Sequence, residues 1–184
     1  MKNWRYILVV IAIVTCAAGS VHAQTHVKKW TVSTNALSWL NLGTINLEGG
    51  MSLNEHLSLN AGITANPWEI DTPTLVRLQN KQYGTHVGVK YWPWHTFSEW
   101  WIGAKVQYKF FDQVGLLTAA QTKGHALGAG ISAGYSFMIT ENFNLDFGLG
   151  VWGGRLLGFE YGNELSPRNF IFIDNIMVSL VYIF

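Results

Sequence analysis

Eight stretches of the chain alternate apolar residues with small or polar ones, the period-two pattern of a β-strand whose faces meet different surroundings. In order they are Trp30–Leu37, Thr44–Leu53, Leu57–Ala65, Gly84–Trp92, Trp100–Phe110, Ala126–Phe137, Phe143–Trp152 and the C-terminal run ending at Phe184. The second sets Ile45, Leu47, Gly49, Met51 and Leu53 against Asn46, Glu48, Gly50 and Ser52. The sixth sets Leu127, Ala129, Ile131, Ala133, Tyr135 and Phe137 against Gly128, Gly130, Ser132, Gly134 and Ser136. In the last, Ile176, Val178, Leu180, Tyr182 and Phe184 share one face, and the other face is mixed. Only the first stretch is ambiguous in its facing. Within strands two to seven the charged residues are Glu48, Lys90, Lys105, Lys109 and Asp146, and all of them fall on the small, polar phase.

A sandwich or a lipocalin turns its apolar phase inward, whereas a membrane barrel turns it toward lipid and fills its axis with polar groups. Alternation alone does not separate these. The polar phase here is rich in Gly, Ser and Asn, which suits a narrow eight-stranded interior better than a solvated face rich in Lys and Glu. The apolar phase is free of charge, as a lipid-facing surface must be when a midplane Arg or Lys costs roughly 2–4 kcal/mol. The terminal Phe184 is the third sign. The pattern predicts an all-β protein, an eight-stranded antiparallel up-and-down transmembrane β-barrel behind a cleaved signal peptide.

Connection lengths agree with that topology. The links after strands two, four and six are short, whereas Asn66–Tyr83, Phe111–His125 and Gly153–Asn169 are long, matching short periplasmic turns and long external loops. Ser38–Gly43 is short and breaks the trend. Two aromatic girdles are expected. Trp92, Trp94, Phe97, Trp100, Trp101, Phe137, Phe143 and Phe184 would mark one, and Trp39, Trp68, Tyr83, Phe110, Phe111, Trp152 and Phe172 the other.

The N-terminus reads as an export signal over residues 1–23. Lys2 and Arg5 precede the apolar stretch Tyr6–Ala18, and Val21-His22-Ala23 forms a small-residue cleavage site. Cys16 lies inside this segment in a poor lipobox, so cleavage leaves no cysteine for disulfide or thiol chemistry. Residues 24–29 then form a short periplasmic segment and 30–184 the barrel. The mature part carries 10 basic and 11 acidic residues once Lys2 and Arg5 are gone, which gives nucleic acid no basic field to bind.

At Asn35-Ala36-Leu37, Asn66-Pro67-Trp68, Tyr91-Trp92-Pro93-Trp94, Leu145-Asp146-Phe147-Gly148-Leu149-Gly150 and Ser179–Phe184 the chain resembles a domain-of-unknown-function family. That family comprises small outer-membrane barrels from Bacteroidota, and the likeness runs from about Trp30 to Phe184. The terminal strand also resembles the closing strand that barrel-assembly machinery recognises, with Ile176, Val178, Leu180, Tyr182 and Phe184 as the signal. The resemblance implies a fold and a Gram-negative outer-membrane location, and it supplies no catalytic residues.

The candidate chemistry lies in the polar phase. Glu48, His86, Lys90, Lys105, Gln107, Lys109 and Asp146 are expected to form a luminal polar network, since buried charges must pair or be hydrated. A plug is the plain role for such a network, and a gate the sharper one. A lipid-modifying triad of His86, Asp146 and a luminal serine is an alternative that no spacing enforces. The histidines show no ligand spacing, so neither metal nor cofactor is expected. Expected partners are outer-membrane lipid and lipopolysaccharide, the assembly machinery, and a surface partner met through the loops. Rival readings are a soluble lipocalin-like barrel and a lipid-remodelling enzyme.

Overall fold

The computed structural model describes residues 29–40, 43–71, 77–114, 122–161, 164–165 and 169–184. The expected signal segment, 1–23, lies outside the described residues, as do 24–28 of the segment that follows it. In chain order the elements are β1 Trp30–Asn35, α1 Ala36–Leu40, β2 Ile45–Asn54, β3 Leu57–Asn66, β4 Glu69–Asp71 and β5 Arg77–Tyr91. They continue with β6 Glu99–Val114, β7 Thr122–Met138, β8 Phe143–Tyr161, β9 Glu164–Leu165 and β10 Asn169–Ile183. Every pairing is antiparallel, in the order β10-β1-β2-β3-β5-β6-β7-β8, and β10 also pairs with β8. The sheet therefore closes as an eight-stranded up-and-down barrel. Two small strands, β4 and β9, only extend β5 and β8. At the seam the Phe184 carbonyl accepts from Trp30 N–H (3.1 Å), and Phe184 N–H donates to Trp30 O (3.0 Å).

The facing follows the alternation. Leu59, Ile131 and Leu149 stand outward at 38%, 64% and 59% exposure, while Asp146 is inward at 4%. On the terminal strand Ile176, Leu180, Tyr182 and Phe184 are exposed, and Ser179, Val181 and Ile183 are buried. An apolar phase on the outside leaves no apolar interior of the lipocalin kind.

Four parts of the sequence reading need correction. First, the opening strand stops at Asn35 and the next five residues are helical. Asn35 Oδ1 accepts from Leu37 N–H (3.1 Å), an N-cap bond, and also from Val178 N–H (3.2 Å), which ties the cap to β10. A one-turn helix is too short to show its own periodicity. Second, β5 to β8 and β10 run well into the expected loops. At 19 residues β8 is about 60 Å long, whereas a tilted strand crosses a bilayer in roughly 9–11 residues. The wall is thus tall over β5–β10 and low over β1–β3. Third, Trp92, Phe97 and Trp101 are not girdle residues, for they turn inward and are 1%, 6% and 1% exposed. Fourth, Trp152 and Phe111 are not girdle residues either: Trp152 is inward, packed with Ala126, Leu156 and Phe170, and Phe111 packs against that inner cluster.

The girdles that remain come from the outward phase. Trp100 meets Tyr135 edge-on at one level, and Tyr83, Phe110 and His125 form a row at the other. Trp100 and Phe110 are ten residues apart on β6, about 34 Å along the strand and about 25 Å along the barrel axis at a tilt near 40°. That matches the apolar band of a membrane barrel.

Candidate functional site

The lumen has two halves. At the turn end Trp92 and Phe97, in the segment that joins β5 to β6, turn inward. Trp92, Phe97 and Trp101 pack with Val181, Ile183 and Met177 into a closed aromatic plug. Phe97 holds φ at 67°, a left-handed conformation that costs an ordinary residue roughly 1–2 kcal/mol. The bend aims both its ring and its carbonyl into the barrel, where Asn144 Nδ2 donates to that carbonyl and Ser136 Oγ lies 3.3 Å from it. Space for the Trp101 indole comes from glycines on β7 and β8. A Cβ on Gly134 would lie 2.4 Å from the ring, and one on Gly148 2.9 Å from it.

Above the plug Glu48 is the hub. Its carboxylate contacts His86 Nε2 at 2.9 Å and accepts from Lys90 Nζ at 3.0 Å and Asn60 Nδ2 at 3.1 Å. Lys90 Nζ also stands 4.8 Å over the Trp101 ring, a cation–π contact that joins hub to plug. From Asn60 the chain continues through Ser58 Oγ (3.2 Å), which takes the Trp92 Nε1–H bond at 3.0 Å. Asp146 forms a second branch, accepting from Ser136 Oγ. Glu48 and Lys90 are thus paired and Asp146 is hydrogen-bonded in place, as ions removed from bulk water must be.

Toward the loops the lumen widens into a cavity of about 210 Å³. All seven residues of the expected network line it: Glu48, His86, Lys90, Lys105, Gln107, Lys109 and Asp146. The structure brings Glu48, His86 and Lys90 into direct contact, while Lys105, Gln107 and Lys109 stand higher on β6 and make contacts of their own. Ser58, Asn60, Ser136, Asn144 and the three plug aromatics were missing from the sequence-level set. For three of them the signal was present in the phase of a luminal charge: Trp101 with Lys105, Trp92 with Lys90, Asn144 with Asp146.

The triad alternative finds no geometry here. His86 bonds to Glu48, Asp146 bonds to Ser136, and among the described residues no serine hydroxyl reaches His86. Among the described residues no group of three or more His, Cys, Asp or Glu side chains is placed to hold a metal. None of the described helices is long and apolar enough to cross a membrane, which leaves crossing by strands untouched.

The chain matches the model of the family described as Protein of unknown function (DUF3575) over residues 7–184, and it belongs to that family. No curated protein sequence matches it. Its structure is similar to the crystal structure of Neisserial surface protein A (NspA), with 13% sequence identity and a TM-score of 0.40, covering 85% of this chain and 94% of that one.

Proposed function

We propose that this member of the DUF3575 family is a small outer-membrane β-barrel with a structural or surface-interaction role. Its loop end faces outward, and its lumen is filled rather than open. The observation that carries the reading is the inverted polarity of the cylinder: Leu59, Ile131 and Leu149 lie outside, and Glu48, Lys90 and Asp146 lie within. Bare aliphatic side chains on the wall are unfavourable in water and favourable in a bilayer, and ions held on the axis are kept out of the lipid. The aromatic plug blocks the turn end, so the luminal charges serve as filling and not as a conduction path. Contact with a partner falls to the tall arms of β5–β8 and the loops joining them. Export through a cleaved leader at residues 1–23 and recognition of the Phe184 strand by assembly machinery complete the proposal.

The test pairs two cysteine variants in whole cells, Leu149→Cys on the outer wall and Ser33→Cys beside the cavity. A lipid-soluble maleimide should label the first, and a water-soluble reagent the second. The barrel should fractionate with the outer membrane and shift its gel mobility on heating. Recovery in the periplasm without a heat shift would sink the reading.

A further inference from the structure

The lipid-facing wall over β6–β8 is not smooth. Ala104, Ala129 and Gly153 interrupt an otherwise branched surface, and Val106, Ile131 and Ile171 stand around them in an open apolar depression, or groove, of about 630 Å³ that extends past Val87 and Val89 on β5 to Leu59 on β3. In the register of the sheet Val106, Ala129, Gly153 and Ile171 form one row. The next row toward the loop end is Tyr108, Leu127, Arg155 and Asn169. Arg155 thus stands one step, about 7 Å, above the groove. It is exposed on the outer face, and among the described residues no side chain pairs with it.

A guanidinium on a lipid-facing wall near the upper girdle calls for an anion, and phosphate matches its forked donors. Polar groups flank it on both sides. Asn169 is its neighbour on β10, and the hydrogen-bonded pair Tyr108 Oη and His125 Nδ1 (2.6 Å) lies across Leu127. This platform is broader than one phosphate needs and suits sugar hydroxyls beside it.

We propose that the outer wall of β6–β8 binds a phosphorylated glycolipid of the outer leaflet, with an acyl chain in the groove and a phosphate on Arg155. This rests on the membrane reading above and adds a place and a chemistry to it. One molecule answers both features, because in such a lipid the phosphorylated sugar sits directly above the acyl chains.

Native mass spectrometry of the refolded, lipid-free barrel in nonionic detergent tests it, with bis-phosphorylated lipid A, dephosphorylated lipid A and phosphatidylglycerol as probes. Phosphorylated lipid A should be retained best. Arg155→Leu should weaken retention about tenfold, the scale of one lost charge-assisted bond. Arg155→Lys should keep most of it. Ala129→Phe, which fills the groove, should also weaken retention, and Ile102→Phe, outward but beyond the groove, should not. Equal retention of dephosphorylated lipid A, preference for phosphatidylglycerol, or an unchanged Arg155→Leu would each overturn the site. A heat-shifting barrel with any of those results leaves the membrane reading standing, whereas loss of the heat shift in the unaltered protein would remove both.

Discussion

The two ends of the lumen are built from the same inward phase and behave as opposites. At the turn end Trp92, Phe97, Trp101, Val181 and Ile183 are each at most 6% exposed, and the Trp92 indole N–H is satisfied by Ser58 Oγ while that of Trp101 is not. At the loop end the side chains of Glu48 and Lys90 keep 24% and 13% of their surface beside a cavity of about 210 Å³. The contrast shows how a narrow barrel manages buried charge. Aromatic rings close one end against water, and the ions sit on the far side of that seal, where hydration reaches them and lowers the desolvation penalty. Lys90 belongs to both regions, paired with Glu48 and lying over Trp101.

If the ends differ in this way, emptying the seal should cost far more than trimming the wet half. Trp101→Ala leaves a void between Gly134 and Gly148 that no neighbour can fill, and the loss should be about 3–5 kcal/mol. Gln107→Ala lines the hydrated cavity and should cost about 1 kcal/mol or less. Urea titration of the heat-modifiable form in detergent measures both. Similar losses at the two positions would break the comparison.

The hub should show a middle-sized effect. Severing a fully buried ion pair costs about 3–5 kcal/mol, but water in the cavity reaches this one, so Glu48→Gln should cost about 1–3 kcal/mol. A double-mutant cycle with Lys90→Met should give a coupling of about 1–2 kcal/mol. Additive losses would mean that cavity water, and not Lys90, satisfies Glu48.

Much of this was readable in the chain, and the exceptions share a cause. The period of two gave the strands, their closure and the inward position of the luminal charges, because a transmembrane wall imposes opposite solvents on its two faces along its whole height. It also carries the phase of Trp101 and Trp92, which an aromatic composition at the strand ends masks. Rings at strand ends are ambiguous by composition; only their step from Lys105 or Lys90 separates the seal from the girdle. The height of β5–β8 was hidden because, on the proposed membrane placement, strand beyond the bilayer needs no apolar face and the alternation fades there. The bulge between Ile173 and Asn175 resets the facing of β10, which is why Phe170 and Phe184 share parity yet point to opposite sides. Which charges touch depends on register, and register is set by pairing, which no single stretch of sequence contains.

The bend at the seal offers a sharper probe. Phe97→Gly and Phe97→Ala remove the same ring, but Ala inherits the backbone at φ 67° while Gly adopts it freely. Gly should therefore be the more stable of the two by about 1 kcal/mol, reversing the usual order in which Gly is the worse substitution. Finding Ala ahead would mean that the turn relaxes once the ring is gone.

The smallest effect separates the two indoles that form the seal. Trp92 Nε1–H donates to Ser58 Oγ at 3.0 Å, whereas Trp101 Nε1 has no acceptor within the protein. Trp92→Phe removes a donor from a buried chain that runs through Ser58 and Asn60 to Glu48, and should cost about 1–2 kcal/mol. Trp101→Phe loses ring volume and part of the attraction to Lys90 but leaves no acceptor unmet, and should cost about 1 kcal/mol or less. Urea midpoints that place Trp92→Phe below Trp101→Phe would show that the dry end is held partly by its tie to the wet one. The reverse order would mean that ring packing alone makes the seal, leaving Ser58 and Asn60 as bystanders to it.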